Sequence, residues 1–154
     1  MGTAALVATA IGLALLVLTA YVLIEGSVVT ATTLATAQSE LSDVQEARLR
    51  TAISIRAADG VDPLVIEVEN TGSEVVPDLA HLDIFIIVDG APVRCTKGAG
   101  PFAWQINSIS PDLVHPNQLD PGERMQISVQ TGGATISWVQ VTTTNGISAS
   151  RYVV

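Results

Sequence analysis

Hydrophobic and polar positions divide this chain into three stretches, each with its own period. From Ala4 to Ile24, twenty-one consecutive residues carry no charge, and only Thr9, Gly12, Thr19 and Tyr21 interrupt the apolar run. At about 1.5 Å of rise per residue the run makes a helix of about 30 Å, the thickness of a bilayer's hydrocarbon core. Such a helix satisfies its own backbone hydrogen bonds and so tolerates the interruptions in lipid. The second stretch is one-sided: Leu34, Ala37, Leu41 and Val44 recur at the a/d spacing of a packing seam, while Glu40, Asp43, Glu46 and Arg50 lie off it. Together the two predict one helix from near residue 3 to near residue 48, transmembrane over about 4–24 and an amphipathic stalk thereafter. The seam then faces either its own domain or a neighbouring copy.

From Arg50 onward the period falls to two. Ile53 and Ile55 alternate with Ser54 and Arg56; Leu64, Ile66 and Val68 with Val65, Glu67 and Glu69; Met125, Ile127 and Val129 with Gln126, Ser128 and Gln130. Leu82–Val88 is apolar on both faces except at Asp83, the pattern of a strand in the middle of a sheet or of one covered by a partner. Further runs lie at Val93–Thr96, Phe102–Ile106, Ile136–Thr143 and Ser148–Val154. Turn residues separate them, most tellingly Asp89-Gly90 and Asn145-Gly146, which suit a hairpin turn with positive φ at both central positions. The predicted fold is α+β by content: an N-terminal helical segment over 1–48, then an all-β, immunoglobulin-like sandwich of seven to eight strands over 50–154.

Length and charge narrow the functional classes. With 154 residues the chain holds one domain beyond the helix. A net charge of −8 and a single lysine, Lys97, exclude the electrostatic footprint of nucleic-acid binding and of a polybasic lipid clamp. The lone Cys95 excludes an intrachain disulfide, and alternation with Arg94 and Thr96 places it on a buried face. A cleaved secretory signal needs a basic leader and a shorter apolar run; no Lys or Arg precedes Arg48, so an uncleaved anchor or filament-core helix is expected.

Motifs for enzyme chemistry are missing: no Gly-x-Ser-x-Gly, no His-Glu-x-x-His, no phosphate-cradling loop and no calcium-binding loop pattern. No catalytic residue, cofactor or metal is therefore expected. His81 and His115 read as solvated side chains, and Asp78, Asp83 and Asp89 as turn formers, with a shared cation site at one end of the sandwich as the competing reading. Ala4, Ala8 and Gly12 form a small-residue stripe on which a second membrane helix could pack closely. Trp138, within a strand, reads as core. Trp104 follows the Gly-rich Gly98–Pro101 loop and is a candidate partner contact, with burial as the default.

The ordered motifs have a family likeness. The Met-Gly start, apolar helix and stalk ending in Arg50–Ile55 are followed by Ile66–Ser73, Val88–Gly90, Leu119–Glu123 and Val141–Gly146. In that order the chain resembles the archaellum stator proteins of archaea, the F-type and its G-type relative. The resemblance implies a single-pass anchor in the cytoplasmic membrane carrying an extracytoplasmic immunoglobulin-like domain. It implies self-association, partnership with the other stator subunit or with motor components, and contact with the surface-layer protein. It implies no catalytic residues. The basic-Gly junction used by the archaeal pre-pilin peptidase is absent, which favours a stator over the alternative, an archaellin or type IV pilin-like subunit whose helix packs in a filament core.

Overall fold

The computed structural model describes residues 2–153. They form one helix, α1 (Gly2–Arg50), and eight strands: β1 (Ile53–Asp59), β2 (Leu64–Asn70), β3 (Asp83–Val88), β4 (Ala91–Lys97), β5 (Ala103–Ser110), β6 (Arg124–Val129), β7 (Ile136–Thr142) and β8 (Ser148–Tyr152). All the strands expected from alternation are present, and the helix runs through to Arg50. The chain divides into two compact units between Asp43 and Val44, so the last turns of α1 belong with the β-domain.

In the first unit every described residue is exposed. The helix is long and apolar enough to cross a membrane. Its hydroxyls fold back on it: Thr9 Oγ1 donates to the Ala5 carbonyl and Thr19 Oγ1 to that of Leu15, both at 2.8 Å. This leaves few polar groups in need of an outside partner, as a lipid environment demands.

The second unit is a sandwich that nearly closes into a barrel. The strand order is β1-β2-β6-β5-β4-β3-β7-β8, antiparallel throughout except where β4 meets β5. Ile66 stands opposite Ile127 in one sheet, and Ile84 between Cys95 and Val141 in the other. Leu64, Ile66, Val68, Met125, Ile127 and Val129 thereby face Ile84, Ile86, Val139 and Val141, all at most 1% exposed. Each such burial contributes roughly 1.5–3 kcal/mol relative to exposure. β3 is central, between β4 and β7, as its two-sided apolarity predicted. The β3–β4 turn has positive φ at both Asp89 (49°) and Gly90 (86°), whereas in the β7–β8 turn only Gly146 does (82°), so that hairpin is a wider one.

The outer faces differ in chemistry. On β1, β2 and β6, Arg56 and Arg124 bridge Glu67 and Glu69. On β3 and β7 the outward row contains half-buried Phe85, Ile87 and Trp138. Trp138 is thus an outer-face residue, contrary to expectation: the register that buries Val139 and Val141 turns it to the other side.

Candidate functional site

A helix end leaves its last carbonyls without intrahelical donors. Here the sandwich supplies donors. The Arg50 carbonyl accepts from the amides of Ser73 (2.9 Å) and Glu74 (3.2 Å), and the Ala52 carbonyl from those of Thr71 (2.9 Å) and Gly72 (3.0 Å). These four bonds join the end of α1 to the loop that follows β2. Thr51 caps the last turn by donating from N and Oγ1 to the Ala47 carbonyl, and its Oγ1 accepts from Asn145 Nδ2 at 2.8 Å. Asn145 Oδ1 in turn accepts from Thr143 Oγ1. The β7–β8 hairpin therefore grips the helix end from a second direction.

Asn70 organises the joint from inside the fold. Its side chain is fully buried; Nδ2 donates to the carbonyls of Glu74 and Leu119, both at 2.8 Å, and Oδ1 accepts from the Gly72 amide at 3.0 Å. Gly72 is the closest approach. A Cβ there would lie 2.4 Å from the Ala52 nitrogen and 2.5 Å from the Arg50 oxygen, so only glycine fits. The ion pairs of Arg50 with Glu46 (3.2 Å) and Glu74 (3.7 Å) are solvent-exposed and add little.

A second layer supports this one. Asp120 and Glu123, 5% and 4% exposed, accept from the backbone amides of His115 (2.9 Å) and Leu113 (3.3 Å), and Asp120 Oδ1 also meets His115 Nδ1 at 2.7 Å. The His115 hydrogen bond holds the Asp120 carboxyl below the ordinary carboxylate range, against the opposing effect of desolvation. Because the folded-state value lies below the unfolded one, the stability gained is full at neutral pH and is lost as pH falls through the depressed value. His115→Ala should therefore move the acid unfolding midpoint, followed by tryptophan fluorescence, to higher pH. An unchanged midpoint would remove His115 from this support.

Other residues singled out from sequence are distributed differently. Trp104 is 2% exposed, so it is a core residue and not a surface offered to a partner; Lys97 Nζ sits 5.5 Å from its ring centroid. The β4–β5 junction draws it inward, with Lys97 paired to it in register. Cys95 is buried, which pushes its thiol up to about 11 and makes it unreactive. His81 and His115 are each bound to one aspartate, Asp78 and Asp120. Asp78, Asp83 and Asp89 do not meet: Asp83 and Asp89 flank opposite ends of β3, about 20 Å apart at strand rise, and Asp83 pairs with Arg94. Among the described residues no three potential ligands converge on a cation position. Ala4, Ala8 and Gly12 share one exposed side of α1, and Leu34, Ala37, Leu41 and Val44 lie exposed on its later turns.

An eight-stranded sandwich whose loops hydrogen-bond the last turn of a helix long and apolar enough to cross a membrane defines the class of the protein. Solved structures share this fold. The archaellum periplasmic stator protein FlaG from Sulfolobus acidocaldarius matches with a TM-score of 0.55 and 20% identity, over 66% of this chain and 98% of that one. The complex of archaellum periplasmic stator proteins FlaF and FlaG from the same organism matches with a TM-score of 0.54 and 20% identity, over 65% and 86%. No family model and no curated protein matches the sequence. At this identity the likeness establishes the fold, the one that the motif order implied.

Proposed function

We propose that the chain is a non-enzymatic structural subunit of the archaellum, a stator held in the cytoplasmic membrane by α1. Its sandwich lies outside that membrane and grips the surface-layer protein, alongside a second stator subunit of the kind represented by the neighbouring complex. The observation that carries this reading is the joint. Four backbone bonds, a buried asparagine and the Thr51–Asn145 bond fix the helix end to two separate loops, so a twist applied at Val44–Arg50 reaches the sandwich without a slack linker. The stator fold of the solved neighbours supports the same reading over the filament-subunit alternative.

Protease added to intact cells stripped of their surface layer tests the topology. Removal of the domain is expected, and digestion only after lysis would reverse the orientation. Self-association is proposed to run through the stalk seam, whose Leu34, Leu41 and Val44 are 57–59% exposed and lack a partner in the single chain. Leu41→Asp places a charge in that seam and should abolish cross-linked oligomers in membranes while leaving the sandwich folded. Unchanged cross-linking would point the seam elsewhere.

A further inference from the structure

The sandwich has an unfinished edge. β4 and β5 pair only at Thr96–Ala103 and Lys97–Trp104, so from Gln105 to Ser110 the side of β5 away from β6 has no strand beside it. Among the described residues, no backbone hydrogen bond outside the β6 ladder reaches this segment. Its geometry follows from the ladder. Ala103 directs its carbonyl to Gln130 and Trp104 directs its own to Gly98, so alternation turns the backbone of Ile106 toward the opening. The bulge between Ile106 and Ser108 resets the count and turns Ile109 the same way.

Exposed strand edges invite pairing, and proteins ordinarily guard them with charge or proline. The opposite margin is guarded: β1 carries Arg56 and Asp59, and Arg151 of β8 reaches across to the Ile55 carbonyl at 3.3 Å. β5 carries no charge and no proline over its eight residues. Its free edge instead lines a groove of about 520 Å³ whose walls include Pro77, Leu79, Ile106 and Ile109. Lys97 stands in that groove beside the start of β5 and Asp112 just beyond its end. Ile106 and Ile109 are only partly buried, so apolar surface remains for an incoming side chain.

We propose that this groove accepts an extended segment of another protein chain, which adds to β5 as a strand antiparallel to it. The segment alternates apolar residues, facing Ile106 and Ile109, with polar ones facing solvent. It carries a basic residue at its N-terminal end, against Asp112, and an acidic one at its C-terminal end, against Lys97. Six residues, Gln105 to Ser110, are open to it, a span of about 20 Å. Main-chain bonds give the affinity, and the end charges set direction and register. The inference stands on the edge itself and is independent of the stator reading.

The test uses the full chain in lipid nanodiscs with three synthetic heptapeptides. One has the order Lys-Val-Thr-Val-Ser-Val-Glu, one has its end charges exchanged, and one is the first peptide N-methylated at the residues that would bond β5. Binding is read by fluorescence polarisation and by hydrogen exchange over Gln105–Ser110. The first peptide is expected to slow exchange in that segment at least tenfold and to bind at least fivefold tighter than the exchanged one. N-methylation should weaken it more than tenfold, and Lys97→Glu should erase the preference between the two charge orders, because each peptide then meets one like and one opposite charge. Absence of protection, or an N-methylated peptide within twofold of its parent, overturns the proposal. Equal affinity for the two charge orders overturns the assigned direction. Protection of the same segment in the peptide-free chain that disappears on dilution would make the occupant a second copy and also overturn it.

Discussion

Gly72→Val is expected to destabilise the β-domain by more than about 3 kcal/mol, the upper range for forcing volume into a packed site. A Cβ at this position would lie 2.4–2.5 Å from the backbone of Ala52 and Arg50, and backbone cannot rotate aside as a side-chain tip can. Relief requires the turn to move out, which breaks the bonds from Gly72 and Ser73 to the helix end and the one from Gly72 to Asn70. Asn70 Nδ2 then risks losing the Glu74 carbonyl inside a fully buried site, where an unmade bond costs about 1–3 kcal/mol more. Denaturant titration of the chain in detergent, read by fluorescence of the buried Trp104, measures the loss. Gly133→Ala is the matched control. It strains a positive φ of 81° with open space around it and should cost about 1 kcal/mol. Equal losses for the two variants would mean that the joint yields where the structure has it tight.

The elements were legible because their signals are local. An uncharged run of twenty-one residues can end only in lipid or in a helix bundle, and period-two alternation together with short runs bounded by turn residues located every strand, the central β3 by its two-sided apolarity. What alternation could not fix was which way each strand turns within the sandwich. Trp104 and Trp138 show this: both lie in strands, yet the register set by neighbouring valines buries the first and turns the second outward. The joint was half visible. Asn70-Thr71-Gly72 and Asn145-Gly146 were recognisable as turns, but a turn motif reports its own φ and ψ and says nothing of a third segment, the helix end, that comes to rest against both. The open edge of β5 was invisible for a related reason. Whether a strand is paired on one side or two depends on topology, and the parallel contact that ends after two residue pairs has no signature in sequence.

A flexible insertion at the joint separates the mechanical role from every other one. Four Gly-Ser residues placed between Arg50 and Thr51 leave the apolar run of α1 intact, still long enough to cross a membrane, and leave the sandwich its whole core, with Asn70 still bonded to Leu119. They remove the grip of Ser73 and Glu74 on the Arg50 carbonyl and the Thr51 cap on Ala47. A Gly-Ser segment behaves as a random coil and transmits no sustained twist. A stator resists the reaction torque of a rotor only if its anchor and its outer grip turn as one. A lone helix in fluid lipid rotates and diffuses freely, so an uncoupled sandwich holds nothing still. In cells lacking the native copy, the insertion variant is expected to reach the membrane, to permit filament assembly and to abolish swimming, as deletion of residues 51–154 should. Motility tracking beside electron microscopy of the same cells decides. Swimming at the parental speed would reject the stator reading, and loss of the filament's bulk would promote the filament-subunit reading in its place.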